Sequence, residues 1–126
     1  TGTIPSEIGN LSNLTRLDLT YNQLTGNIPS EIGNLTNLTF FSLKDNDLTG
    51  PIPSEVGNLT KLNVLRLANN QLNGEIPIEI CDLDINWVLS TSFQIWGNQL
   101  CPPYPSCLIN PDGNDYTGSQ DTTNCE

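Results

Sequence analysis

Leu14–Leu24, LTRLDLTYNQL, returns at Leu38–Leu48 as LTFFSLKDNDL and at Leu62–Leu72 as LNVLRLANNQL. A looser copy, STSFQIWGNQL, occupies Ser90–Leu100; the first three copies start 24 residues apart and the last starts 28 after its predecessor. Within each copy apolar and polar side chains alternate, as in Leu17-Asp18-Leu19, the pattern of a short strand with one buried face. So short a unit cannot bury its apolar side alone. The copies must stack, each giving one strand to a parallel sheet with neighbours about 4.8 Å apart.

Between copies runs a second phrase, TGTIPSEIGN at Thr1–Asn10, repeated at Thr25–Asn34 and Thr49–Asn58 and imperfectly at Asn73–Asp82. Gly26, Gly50 and Gly74 supply backbone freedom, and the proline after each Ile fixes φ where no donor is needed. SEIGNL reads as one turn of 3₁₀ or α-helix, with Ser30 and Ser54 as N-caps and Glu31 and Glu55 at the favourable end of the dipole. Glu7, Glu31, Glu55 and Glu79 then form an outward acidic column. Asn22, Asn46, Asn70 and Asn98 fall where the chain leaves the strand, and a buried amide there can satisfy the free backbone groups of the turn. The expected division is a partial N-terminal repeat at 1–10, three 24-residue repeats at 11–82, and a degenerate last repeat with a Cys-rich cap at 83–126.

Composition narrows the function. Only 36% of the residues are hydrophobic, as a thin solenoid requires. The net charge is −10, with four Lys and Arg against 14 Asp and Glu. Nucleic acid is excluded as a partner, because phosphate binding needs clustered cations. An anionic membrane surface is equally unfavourable, and no apolar run reaches the length of a membrane span. No leader peptide is visible, and the chain opens in mid-repeat, so the first coil is expected to lack a cap. The chain has no His, which removes Ser-His-Asp and Cys-His catalysis. A glycosidase needs two carboxylates about 5–9.5 Å apart in a pocket; the stacked glutamates sit on a convex column without one. No catalytic residue, metal site or cofactor is expected.

The whole frame, L-x-x-L-x-x-L-x-L-x-x-N-x-L-x-G-x-I-P, resembles the plant-type extracellular leucine-rich repeat of receptor-like proteins, receptor-kinase ectodomains and polygalacturonase inhibitors, over Thr1 to about Cys107. The resemblance implies an α/β-type repeat solenoid. In it a right-handed curved coil carries the parallel sheet on its concave side, a second short strand near Gly-x-Ile-Pro and short 3₁₀ or helical turns on its convex side. It also implies a secreted or cell-surface binding module rather than an enzyme.

The cysteines, Cys81, Cys101, Cys107 and Cys125, all lie near the C-terminal end and read as a disulfide-stapled cap made in an oxidising compartment. A zinc site would need all four, without the usual close pairing of ligands. The Leu100–Cys107 phrase resembles the family's capping phrase, and that likeness implies Cys101–Cys107, leaving Cys81–Cys125. Stacking by repeat offers a rival, because it sets Cys107 above Glu79 and near Cys81. From Leu108 the tail reads as a loop pinned by Cys125. Its Asp112-Gly113-Asn114-Asp115 holds calcium-type oxygens at spacings unlike an EF-hand, and turn chemistry accounts for them.

Function is then sought on the outward positions of the concave sheet. These are Arg16, Asp18, Thr20 and Tyr21, then Phe40, Ser42, Lys44 and Asp45, then Val64, Arg66, Ala68 and Asn69, then Ser92, Gln94, Trp96 and Gly97. Arg16, Lys44 and Arg66 are three of the chain's four cations, and Tyr21, Phe40 and Trp96 stand with them. Arg and aromatic side chains are the usual anchors of interfaces. With Asp18 they are the candidate ligand-binding set for a protein, peptide or glycan; packing on neighbouring coils or the cap is the alternative for Phe40 and Trp96. Asn10, Asn13, Asn34, Asn37 and Asn58 head N-x-S/T sequons. Two further readings are self-association of stacked solenoids through the open first coil, with Ile4, Ile8 and Leu11, and, from the family alone, inhibition of a wall-degrading enzyme. Thr15, Thr39 and Asn63 form too irregular a column for ice binding.

Overall fold

The computed structural model describes residues 1–109, 113 and 115–125. Among the described residues nine short strands are interspersed with 3₁₀ turns: β1 (Gly2–Thr3), β2 (Arg16–Asp18), β3 (Leu24–Gly26), β4 (Phe40–Ser42), β5 (Asp47–Gly50), β6 (Val64–Arg66), β7 (Gln71–Glu75), β8 (Phe93–Gln94) and β9 (Gln99–Cys101). Two parallel sheets result, β2-β4-β6-β8 along the concave side and β1-β3-β5-β7-β9 where the chain turns away from it. The register places Leu17, Phe41, Leu65 and Phe93 in one inward column. The remaining repeat leucines and isoleucines complete a single core running the length of the coil. Burial tightens from the first coil inward: Leu11 is 52% exposed, whereas its counterparts Leu35 and Leu59 are fully buried.

The 3₁₀ turns at Ser6–Asn10, Ser30–Asn34, Ser54–Asn58 and Ile78–Asp82 stack on the convex side. Their N-caps are Pro5, Pro29, Pro53 and Pro77, not the serines expected from the sequence. Each proline holds the extended φ and ψ of a cap position, which puts Ser30 and Ser54 inside the turn, with their hydroxyls toward Glu31 and Glu55. Turns approach so closely that a Cβ on Gly57 would lie 2.7 Å from Glu79 Cβ. Cys81 stands where Gly57 stands one coil earlier, and there the stacking of turns gives way to a covalent link to the cap.

Backbone hydrogen bonds join the coils along the strands and just past them, such as Leu43 N–H to Arg66 O and Asp45 N–H to Ala68 O, and the asparagine column adds a side-chain bridge. Asn70 Oδ1 accepts from the Leu48 N–H of the preceding coil at 3.0 Å, while Nδ2 donates to Leu43 O of that coil and Leu67 O of its own. Asn46 and Asn98 repeat this bridge. Asn22 departs from the expected burial: it is exposed, and its amide bonds only Leu19 O and Thr20 O of its own turn.

The disulfides are Cys81–Cys107 and Cys101–Cys125, which corrects the pairing implied by the family phrase in favour of the stacking rival. Their sequence separations, 26 and 24, are each about one coil, so each bond joins equivalent points of successive layers. The proline-rich run between Cys101 and Cys107 leads away to the turn Ser106–Leu108 instead of folding back. Closing loops of this size removes about 3–4 kcal/mol of chain entropy each from the unfolded state.

The tail is more than a pinned loop. It lies along the last coil, with Gln120 bridged in parallel to Asn98. Gln120 Oε1 accepts from Leu100 N–H, and its Nε2 donates to Ile95 O and Thr117 O. A glutamine thus serves as the next rung of the asparagine column. Asp112 and Asn114 of the calcium-type segment lie outside the described residues.

Asn70→Ala is expected to lower the unfolding free energy by about 2–3 kcal/mol: it leaves the buried Leu48 N–H unpaired, at roughly 1–3 kcal/mol, and removes one of two amide donors from Leu43 O and Leu67 O, which keep Asn46 and Asn98. Asn22→Ala should cost less than about 1 kcal/mol. Urea unfolding of both variants checks this, and equal losses would contradict the bridging account.

Candidate functional site

The concave sheet sets its outward residues in columns by strand register: Arg16, Phe40 and Val64 in one; Asp18, Ser42, Arg66 and Gln94 in the next. Phe40 is flanked by two guanidinium groups, Arg16 Cζ at 3.6 Å and Arg66 Cζ at 5.2 Å from its ring centroid. Such contacts are worth about 0.5–1 kcal/mol when exposed. Arg16 Nη2 also donates to Asp18 Oδ2 at 3.0 Å. Arg66 is fixed from the other side, donating from Nε and Nη2 to Thr91 O. The sequence therefore places three coils' worth of variable residues into one stacked cluster.

Asp18 closes a polar chain. Its Oδ1 accepts from the Thr20 N–H and hydroxyl, and Ser42 donates to that hydroxyl over 2.7 Å. The Thr20 hydroxyl above all holds the Asp18 carboxyl below its usual 3.8; burial opposes it, and the Thr20 N–H and Arg16 add to the lowering.

A second cluster lies where the strands end. Lys44 Nζ sits 5.7 Å from the Tyr21 ring centroid and 3.4 Å from Asp45 Oδ2. Asn69 Nδ2 donates to Asp45 Oδ1 at 2.7 Å, while Oδ2 is buried without a hydrogen-bond donor among the described residues. Tyr21, Asp45, Asn69 and Gly97 share one column and all have φ near +60 to +70°. Asp, Asn and Gly tolerate that region; Tyr does so at a cost of about 1–2 kcal/mol. Tyr21 is nevertheless 77% exposed. The sequence placed these four residues outward but not in the left-handed region, although the succession Tyr, Asp, Asn, Gly just before each repeat asparagine carries that signal.

Trp96 is separate from both clusters. It is half-buried, and Gly118 of the tail comes so near that a Cβ there would lie 2.7 Å from Trp96 Cβ. Trp96 thus packs against the cap, the alternative reading of the sequence. Of the sequon asparagines, Asn10, Asn13, Asn34 and Asn58 are exposed. Asn37 is held, donating to Ser12 O and accepting from Lys61 Nζ at 2.7 Å. Among the described residues no helix is long and apolar enough to cross a membrane.

The family model for the Leucine Rich Repeat matches residues 13–35, 37–59 and 61–83, together just over half the chain. The chain belongs to the leucine-rich-repeat family. Its structural likenesses are to plant extracellular members. The ectodomain of the receptor kinase GASSHO1/SCHENGEN3 from Arabidopsis thaliana, in complex with Casparian strip integrity factor 2, is 40% identical, with a TM-score of 0.69, over 79% of this chain and 11% of its own. The Arabidopsis HAESA ectodomain, in complex with an IDA peptide hormone ligand, is 36% identical, with a TM-score of 0.80, over 96% of this chain and 19% of its own. A plant ice-binding protein is 36% identical, with a TM-score of 0.71, over 79% of this chain and 31% of its own. The leucine-rich-repeat chain thus spans less than a third of the length of each of these three. Comparison with curated protein sequences gives no match.

A carboxyl whose folded value is lowered stabilises the fold above its unfolded value, and that contribution drains away as pH falls through the folded value. The acid limb of stability, below about pH 4, should therefore be shallower in Asp18→Asn than in the parent. Thermal melts in citrate at successive pH values test this; identical acid limbs would remove Asp18 from the account.

Proposed function

We propose that this leucine-rich-repeat chain is a non-enzymatic recognition module of the extracellular space that holds a peptide or an extended protein segment across its concave sheet. The observation that carries the reading is the Arg16–Phe40–Arg66 stack, with Lys44 one column away, on a chain of net charge −10. Three of four cations on one face make that face the attractive one for an acidic segment. Phe40 supplies apolar area between guanidiniums already held in place, so less side-chain entropy is lost on binding. Tyr21, kept exposed at a strained φ, fits the same purpose. The peptide-bound receptor ectodomains among the likenesses support the ligand class.

The test starts from a displayed random-peptide library selected on the immobilised chain. Phe40→Ala and Arg66→Ala should each weaken the enriched peptides by about 2 kcal/mol, roughly thirtyfold, as central anchors do. Melting temperatures of both variants should stay near the parent's, since the two side chains are outward. Unchanged affinities would overturn the reading.

The same proposal extends to the sequons. Made in a eukaryotic secretory pathway, the exposed Asn10, Asn13, Asn34 and Asn58 accept glycans, and Asn37, engaged on both sides of its amide, stays bare. Peptide mapping after enzymatic deglycosylation should find the mass tag at the first four and none at Asn37. A tag at Asn37 equal to the others would refute the distinction.

A further inference from the structure

The first residue of each 3₁₀ turn faces outward. It is Ser6, Ser30 and Ser54 in three coils and Ile78 in the fourth. Ile78 is 69% exposed, so the fold gains little from it. It lines a cleft of about 420 Å³ between residues 75–78 and residues 103–106 of the cap, a volume in the range of ligand pockets. Tyr104 belongs to the cap side, fixed by donation from its hydroxyl to Leu100 O at 3.2 Å. Along the cleft the prolines Pro77, Pro103 and Pro105 make stiff walls that need no ordering on binding.

The charge around this cleft is of one sign. Beyond Arg66 the sequence holds eight Asp and Glu and no Lys, Arg or His. Glu75 lines the cleft and Glu79 follows Ile78, both exposed. This is the reverse of the concave face, where the cations gather.

We propose that the Ile78–Tyr104 cleft is a docking site for a cationic segment of a partner protein. An aliphatic or aromatic side chain of that segment packs against Ile78 and Tyr104, and flanking Lys or Arg side chains meet Glu75 and Glu79. A second copy of this chain does not fit the description. Its net charge is −10, so two copies repel one another, and its cations stand singly over the concave sheet and at Lys61 rather than together in one segment. An anionic membrane is repelled.

The probe is the acetylated, amidated hexapeptide KKLFKK, titrated into the ¹⁵N-labelled chain beside EELFEE and KKGSKK. KKLFKK should shift the amides of Glu75, Ile76, Ile78, Glu79, Tyr104 and Ser106, and bind about tenfold or more tighter than either control, the scale expected for one buried aliphatic anchor. Ile78→Ser installs the residue that the other coils carry at this exposed position, so the spectrum elsewhere should be kept while KKLFKK weakens about tenfold. Phe40→Ala should leave KKLFKK binding unchanged, so that this site and the concave one fail separately. The proposal is overturned if Ile78→Ser has no effect, if KKGSKK binds as well as KKLFKK, if the shifts map to the concave sheet, or if no peptide binds. Self-association that Ile78→Ser abolishes, in place of peptide binding, overturns it in favour of a second copy.

Discussion

The amide of Asn70 joins two coils just past the end of their paired strands. Strands of three residues leave the turns after them with buried N–H and C=O groups, and water cannot reach these once the next coil is stacked. One side chain answers for three of them: Leu48 N–H, Leu43 O and Leu67 O. Its aim depends on the residue before it, Asn69, whose left-handed φ reverses the chain just there. A longer side chain at this position would need a different turn, and a shorter one would not span the coils. Because each bridge reaches backward to the preceding coil, the Leu100 N–H of the last coil has to be met from beyond; Gln120 meets it and adds a second donor to Ile95 O, which Asn98 already bonds.

The scaffold therefore uses the apolar columns and the asparagines, and constrains the outward strand positions less, although Ser42 and Ala68 among them are fully buried. Those positions carry wide differences between coils, as does the convex-side exchange of Ser54 for Ile78. Arg16, Phe40 and Val64 share a column yet share no chemistry, while the column beside it, Leu17, Phe41, Leu65 and Phe93, stays apolar throughout. Varied outward chemistry over an interior that stays apolar is what a scaffold carrying a grafted site should show. The cations of that variable face do not float free. Arg16 is held by Asp18 and Phe40, and Arg66 by Thr91 O and Phe40, so the charge is presented in a fixed place.

The period and alternation of LTRLDLTYNQL were enough to place the sheet and its register, because a period-two pattern leaves one choice of face and the 24-residue spacing leaves one choice of stacking, but not to show that Ser42 and Ala68 of the outward set are fully buried. What escaped reading had a different cause in each case. Pro29 took the cap position from Ser30 because cap preference is read from side-chain hydrogen bonds, whereas here fixed backbone angles decide it. The contact between Phe40 and its two arginines joins residues 24 and 26 apart, which alignment brings near without giving a distance. Gln120 was invisible because it breaks both the residue type and the period of its column.

The C-terminal end shows why such departures gather in a cap. A solenoid stacks only while each coil offers the next the same surface, and Gly57 is part of that surface, letting the Glu79 turn lie against it. Cys81 puts a side chain into the corresponding space and ties it to Cys107 instead. With turn-on-turn stacking ended, the cap no longer has to match the coil beneath it, and Pro103 to Ser106 stand off far enough to leave a cleft beside Ile78. The exposed isoleucine and the end of the repeat are thus linked: only beside a layer that does not stack can the first residue of a turn face an open pocket.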